Sequence, residues 1–128
     1  MKKKYLIVIA NYYKDISKGL LNSAKDVLPK SSLIKVIWVP GIFEIPVSIA
    51  KNINKYDAFL ALGCVIKGQT PHFDFISHAA TDAIMKLSIE SKKPIGNGII
   101  TCINMRQAIV RKNKGREAAH AIISVLSQ

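Results

Sequence analysis

Ala58–Ile66 is an unbroken apolar run of strand length, the kind of segment that a parallel sheet buries on both faces. A strand apolar on both sides needs helices above and below it. The rest of the chain supplies them, because short apolar runs alternate with helical patterns from one end to the other. Tyr5–Ala10 predicts a first strand, and Ile16–Leu28 a helix in which Ile16, Leu20, Leu21, Ala24, Val27 and Leu28 recur at helical spacing. Leu33–Val39 predicts a second strand between Pro29 and the Pro40-Gly41 breaker. A short helix over Glu44–Ile53 follows, with Pro46 in its first turn. After the run at 58–66 come a long helix over Pro71–Glu90 and a fourth strand over Pro94–Cys102. Helices over Asn104–Arg111 and Arg116–Leu126 close the chain, joined by Lys112-Asn113-Lys114-Gly115. This alternation predicts an α/β, doubly wound, flavodoxin-like three-layer sandwich with a four-stranded parallel sheet flanked by helices. Such folds bind ligands beyond the carboxyl ends of the strands, near a switch in strand order. The loops Asn11–Lys14, Pro40–Phe43 and Gly68–Thr70 all follow strand ends.

With 128 residues, nearly half of them hydrophobic, the chain reads as one domain over 1–128, and disorder is excluded. No apolar stretch approaches the roughly 18 residues of a membrane span. Met1-Lys2-Lys3-Lys4 has the charge of a signal-peptide start, but the apolar run behind it is too short and ends in Asn11-Tyr12-Tyr13-Lys14. Cys64 and Cys102 lack CxxC spacing and nearby histidines, so neither a zinc site nor any other metal site is expected. Reduced thiols in a cytoplasmic protein are the expectation. The formal charge of +11 comes from nineteen basic residues against eight acidic ones. The lysines are scattered, with no aromatic-interleaved stripe and no nucleic-acid-binding module, so no specific nucleic-acid partner is expected. General attraction of phosphates is expected.

The segment Gly63-Cys64-Val65-Ile66-Lys67-Gly68-Gln69-Thr70-Pro71-His72-Phe73-Asp74 carries the most chemistry. A strand ends in a glycine turn, Thr70 can cap, and Pro71 suits the first helical position. Free N–H groups at such a helix end suit a phosphate or another anion. A histidine beside that anion can serve as a general base near pH 7.

Three segments in this order resemble the lumazine synthase family: Val39-Pro40-Gly41-Ile42-Phe43-Glu44-Ile45-Pro46, the Gly63–Asp74 run, and Gln107-Ala108-Ile109-Val110-Arg111 followed by Asn113-Lys114-Gly115. The resemblance implies the penultimate step of riboflavin biosynthesis, the condensation of 5-amino-6-(ribitylamino)uracil with 3,4-dihydroxy-2-butanone 4-phosphate. The product is 6,7-dimethyl-8-ribityllumazine, with phosphate and water released. It implies no metal or redox cofactor. It also implies a homo-oligomer, a pentamer or multiples of it, with active sites between subunits. Carried over by position, Tyr12 matches the aromatic that stacks on the pyrimidine. Gly41, Ile42 and Phe43 match backbone positions along the ribityl chain, and Glu44 the carboxylate on its hydroxyls. Cys64, Val65 and Ile66 match substrate-binding positions at the strand end. Gly68, Gln69 and Thr70 match the phosphate cradle, and His72 the acid–base histidine. Arg111 matches the phosphate-binding arginine, whose guanidinium can hold phosphate through two parallel hydrogen bonds. Lys114 matches a lysine near the phosphate. His78 and His120 match no motif and read as structural or surface residues.

Several positions depart from the family pattern. Asn97 stands where many members place a phenylalanine in the neighbouring subunit's pyrimidine pocket. Gln69 replaces a usually small or acidic residue, and Lys67 a common arginine. The connection between Arg111 and Asn113-Lys114-Gly115 lacks several residues found in many members. Three alternatives stay open on sequence alone: an archaeal-type riboflavin synthase sharing the fold, a non-catalytic lumazine- or flavin-binding relative, and a basic nucleic-acid-binding module.

Overall fold

In the computed structural model, which describes residues 2–68 and 72–128, the two-sided apolar run is the third strand of a four-stranded parallel sheet. Strands β1 (Lys4–Ala10), β2 (Leu33–Val39), β3 (Ala58–Ile66) and β4 (Ile95–Cys102) lie in the order β2-β1-β3-β4. Helices α1 (Lys14–Val27), α2 (Ile45–Lys51), α3 (His72–Ser91), α4 (Met105–Arg111) and α5 (Gly115–Leu126) flank it. This is the flavodoxin-like α/β sandwich expected from the alternation.

The period-two geometry of a strand divides the core into two layers. Tyr5, Ile7 and Ile9 of β1 and Ala58, Leu60 and Leu62 of β3 face Ile16, Leu20 and Ala24 of α1 and Ala118, Ala119 and Ile122 of α5. Leu6, Val8 and Ala10 of β1 and Phe59, Ala61 and Val65 of β3 face Ile45 and Ile49 of α2 and Ala80 and Ile84 of α3. The two central strands are therefore buried on both sides, while β2 and β4 are the edges.

The observed limits of β2 and β3 coincide with the apolar runs that predict them, and those of the helices shift. The helix expected over Glu44–Ile53 is a 3-10 turn at Ile42–Glu44 followed by α2, which stops at Lys51. At its end the Asn52 side-chain Nδ2 donates to the Ser48 carbonyl at 2.8 Å, an alternative to continuing the helix. The expected Thr70 cap and Pro71 start fall outside the described residues, and α3 is described from His72 onward. Asn104 caps α4, its Oδ1 accepting from the Gln107 N–H at 3.0 Å, while Gln107 Oε1 accepts from the Ile103 N–H at 2.9 Å. This reciprocal arrangement resembles a capping box.

Helix α5 lies wedged against both α1 and β4, and two glycines permit the approach. A Cβ on Gly115 would stand 2.1 Å from the Leu20 carbonyl oxygen, and one on Gly96 would stand 2.6 Å from that of Ala118. Toward the start of α1, the buried Ser17 hydroxyl donates to the Ala10 carbonyl at 2.6 Å, tying the helix to the end of β1. Gly115→Ala should lower stability by about 1–3 kcal/mol through overpacking. Ser17→Ala should cost about 0.5–1.5 kcal/mol by removing a buried hydrogen bond. Urea midpoints of the purified variants check both values.

Candidate functional site

The chain runs from β1 outward to β2 and then returns to β3 on the other side, so the strand order reverses at β1. At that switch point the carboxyl ends of three strands and one face of α3 enclose a cavity of about 750 Å³, a size suited to a small molecule. Tyr12 and Tyr13 come from the loop after β1, and Gly41, Ile42, Phe43 and Glu44 from the turn after β2. Cys64, Val65 and Ile66 form its floor at the end of β3. His72, Phe75, Ile76 and Ala79 form the α3 wall.

Local geometry explains why these groups converge. The Asn11 N–H donates to the Val39 carbonyl at 2.8 Å, tying the loop after β1 to the end of β2. Tyr12 and Tyr13 meet edge to face, with ring centroids 4.9 Å apart and planes at 81°. Tyr13 packs inward against the core, while Tyr12 is 75% exposed and presents a free aromatic face. Burial pushes the Tyr13 hydroxyl above its usual range, with Tyr12 and Cys64 adding to the effect. Glu44 folds back over Gly41, where an added Cβ would sit 3.4 Å from Glu44 Oε1. Phe43 and Phe75 are 70% and 68% exposed, so the rim of the cavity is unusually rich in uncovered aromatic surface.

The remaining site candidates from the sequence fall elsewhere. Asn97, Arg111 and Lys114 do not line this cavity. Asn97 lies on edge strand β4, its Oδ1 accepting from the Ile99 N–H at 3.1 Å. Arg111, at the last position of α4, donates from Nη1 to the Thr101 carbonyl of β4 at 3.2 Å. These two residues thus share the β4 border of the molecule. Lys114 pairs with Glu117 at 3.2 Å. Gly68 follows β3 and is exposed, and Gln69 and Thr70 lie outside the described residues. Sequence reasoning passed over Tyr13, Phe75, Ile76 and Ala79. The last three follow His72 at intervals of three, four and seven residues, the spacing of one helical face, so the signal was present. Among the described residues no three His, Cys, Asp or Glu side chains are grouped to hold a metal ion, and no helix is long and apolar enough to cross a membrane.

Fold and cavity together define a flavodoxin-like α/β protein with a cavity of small-molecule size at its topological switch point. Comparison with known proteins narrows this. The family model of 6,7-dimethyl-8-ribityllumazine synthase matches residues 2–128. The chain is 41% identical to the 6,7-dimethyl-8-ribityllumazine synthase of Cutibacterium acnes over 133 residues, covering 97% of this chain and 80% of the relative. Similarity to the enzymes of the same name from Agrobacterium fabrum (39% over 140 residues, covering 98% and 95%) and Bartonella tribocorum (41% over 138 residues, covering 99% and 91%) is as extensive. The chain belongs to the 6,7-dimethyl-8-ribityllumazine synthase family, and with the family goes the class of activity, that of a transferase in riboflavin biosynthesis.

Cys64 is the one ionisable group of the cavity floor with a large shift. Burial first, then the neighbouring Cys102 thiol, push it up to about 12. A thiol held there is not a nucleophile at neutral pH, since the thiolate is the reactive form. In the unfolded chain the same thiol ionises near its ordinary value of 9.0, so its contribution to stability is complete below that pH. That contribution is lost as pH rises from there through about 12, because the unfolded state then releases the proton first. Thiol-selective alkylation at neutral pH should be slow for both buried cysteines in the native protein and fast in urea, checked by mass spectrometry of the alkylated chain.

Proposed function

We propose that the protein condenses 5-amino-6-(ribitylamino)uracil with 3,4-dihydroxy-2-butanone 4-phosphate to 6,7-dimethyl-8-ribityllumazine. The observation that carries this reading is the convergence of Tyr12, the Gly41–Glu44 turn, the end of β3 and His72 on one cavity, in a chain of this family. The uncovered face of Tyr12 suits a flat pyrimidine, and stacking there would hold the heterocycle at the rim. The Glu44 carboxylate, beside the backbone of Gly41 and Ile42, offers acceptors to the hydroxyls of a ribityl chain.

The 5-amino nitrogen of the uracil attacks the ketone carbon of the butanone, giving a carbinolamine that loses water to an imine. Loss of the C3 proton turns the imine into an enamine that expels phosphate, and the resulting enol becomes a ketone; the ribitylamino nitrogen attacks that carbonyl, and loss of a second water closes the ring. Each step moves protons, and His72 is the group at the cavity wall suited to relay them. Holding two reactants in register is the second contribution of the site. Arg111, with Gly68, Gln69, Thr70 and Lys114, is assigned to the phosphate, which a guanidinium can hold through two parallel bonds.

Arg111, Lys114 and Asn97 reach this chemistry from a neighbouring copy. A head-to-tail contact would set the β4 border of one subunit against the aromatic rim of the next, and a closed ring of such contacts is the proposed homopentamer. Uncovered Ile103, Met105, Ile109 and Val110 after β4, with Phe43 and Phe75 at the rim, supply apolar surface for that contact. The cytoplasm, where both thiols stay reduced, is the proposed compartment.

Purified protein mixed with both substrates should generate lumazine fluorescence, and riboflavin formed from lumazine alone would overturn the assignment. His72→Ala should lower kcat by about 10²-fold with an unchanged unfolding midpoint; a variant at full speed would remove the histidine from the proton relay. Arg111→Lys keeps the charge but loses the two-pronged grip, so KM for the butanone phosphate should rise far more than KM for the pyrimidine, measured by varying each substrate in turn.

A further inference from the structure

In a parallel sheet every helix-to-strand connection emerges at the same end, and here that end is the one opposite the cavity. Those connections, the last helical turns that lead into them and the residues up to the start of β1 carry Lys2, Lys3, Lys4, Lys25, Lys30, Lys51, Lys55, Lys92 and Lys93. The acidic side chains among them are Asp26, Asp57 and Glu90. Lysines that looked scattered along the chain are thus gathered by topology onto one end, which is strongly positive. Lys93 is engaged within the fold, its Nζ donating to the Ile53 carbonyl at 2.7 Å, and the other eight are exposed.

Within this end a groove of about 470 Å³ is lined by Lys4, Leu33, Ile34, Lys35, Lys55 and Tyr56. Three lysines line the trough beside Tyr56, whose half-buried ring packs edge-on against Phe59; cations spaced along a groove suit the phosphates of single-stranded nucleic acid. A bilayer would call for protruding apolar side chains instead, and of this groove only Leu33 is a large hydrophobic residue left exposed. We infer that the groove between the starts of β1, β2 and β3 binds the backbone of single-stranded nucleic acid without regard to sequence. The groove lies about seven strand residues, roughly 20 Å, from the cavity, so it acts independently of the reaction.

The test is fluorescence anisotropy with a fluorescein-labelled oligouridylate of about fifteen nucleotides, at about 50 and 200 mM salt. Two triple variants are compared with the native protein: Lys4→Gln/Lys35→Gln/Lys55→Gln in the groove, and Lys18→Gln/Lys86→Gln/Lys112→Gln elsewhere, which carries the same net charge. Micromolar binding at the lower salt is expected. The groove variant should weaken it at least about tenfold and reduce the slope of log K against log salt by about 2, while the control variant keeps both. Lumazine formation by both variants should equal that of the native protein, which separates loss of binding from loss of fold. No binding by the native protein at low salt would overturn the inference. So would an equal loss in both triple variants, or binding to phosphatidylserine-containing phosphatidylcholine vesicles without binding to the oligonucleotide.

Discussion

Burial of β1 and β3 on both faces is the constraint from which the rest of the molecule follows. A strand in the middle of a parallel sheet hands its backbone N–H and carbonyl groups to two neighbours and its side chains to two helical layers. Nothing on those strands is left over for a ligand except at their ends. Leu60, Leu62, Phe59 and Ala61 are inaccessible to solvent, and the first polar contacts open only past Ile66 and Ala10. Chemistry is therefore displaced to the carboxyl ends, where the chain must leave the sheet and where the reversal of strand order opens a crevice.

That crevice is open at its rim in one copy of the chain. Its floor and two walls are built by the chain itself, yet its rim holds exposed Tyr12, Phe43 and Phe75, a cost that an isolated domain has no reason to bear. Arg111 at the end of α4 and Asn97 on β4 lie at the opposite border, each hydrogen-bonded to β4 backbone. An aromatic rim on one side and Arg111 with Asn97 on the other are the two surfaces that the proposed head-to-tail assembly would bring together. The same polarity of the sheet that opens the cavity at one end sends the lysine-rich connections to the other, so the two ends carry different chemistry for one topological reason.

Much of this architecture was legible in the residues alone. The strands at Leu33–Val39 and Ala58–Ile66 are read to their limits, because an apolar run stops sharply where a breaker or a charge follows. Helix ends were less legible: the stop of α2 at Lys51 depends on where the Asn52 side chain finds an acceptor, which no propensity encodes. Within the site, the Gly41–Glu44 turn and His72 stood out as motifs, whereas Tyr13, Phe75, Ile76 and Ala79 look like ordinary core residues until the wall they form is seen. Ser17 carried no signal, since its hydroxyl matters only because α1 lies across the end of β1.

Local chemistry, then, is what the residues determined unaided: which segments are strands, which turns admit a close ligand, which family the motifs resemble. Hydrophobic pattern and backbone stereochemistry act over a few residues and can be read in order. Position across the sheet belongs to the tertiary structure. It alone separated Arg111 and Asn97 from the cavity and brought Lys4, Lys35 and Lys55 into one groove, because strand order and helix packing set distances between residues far apart in the chain.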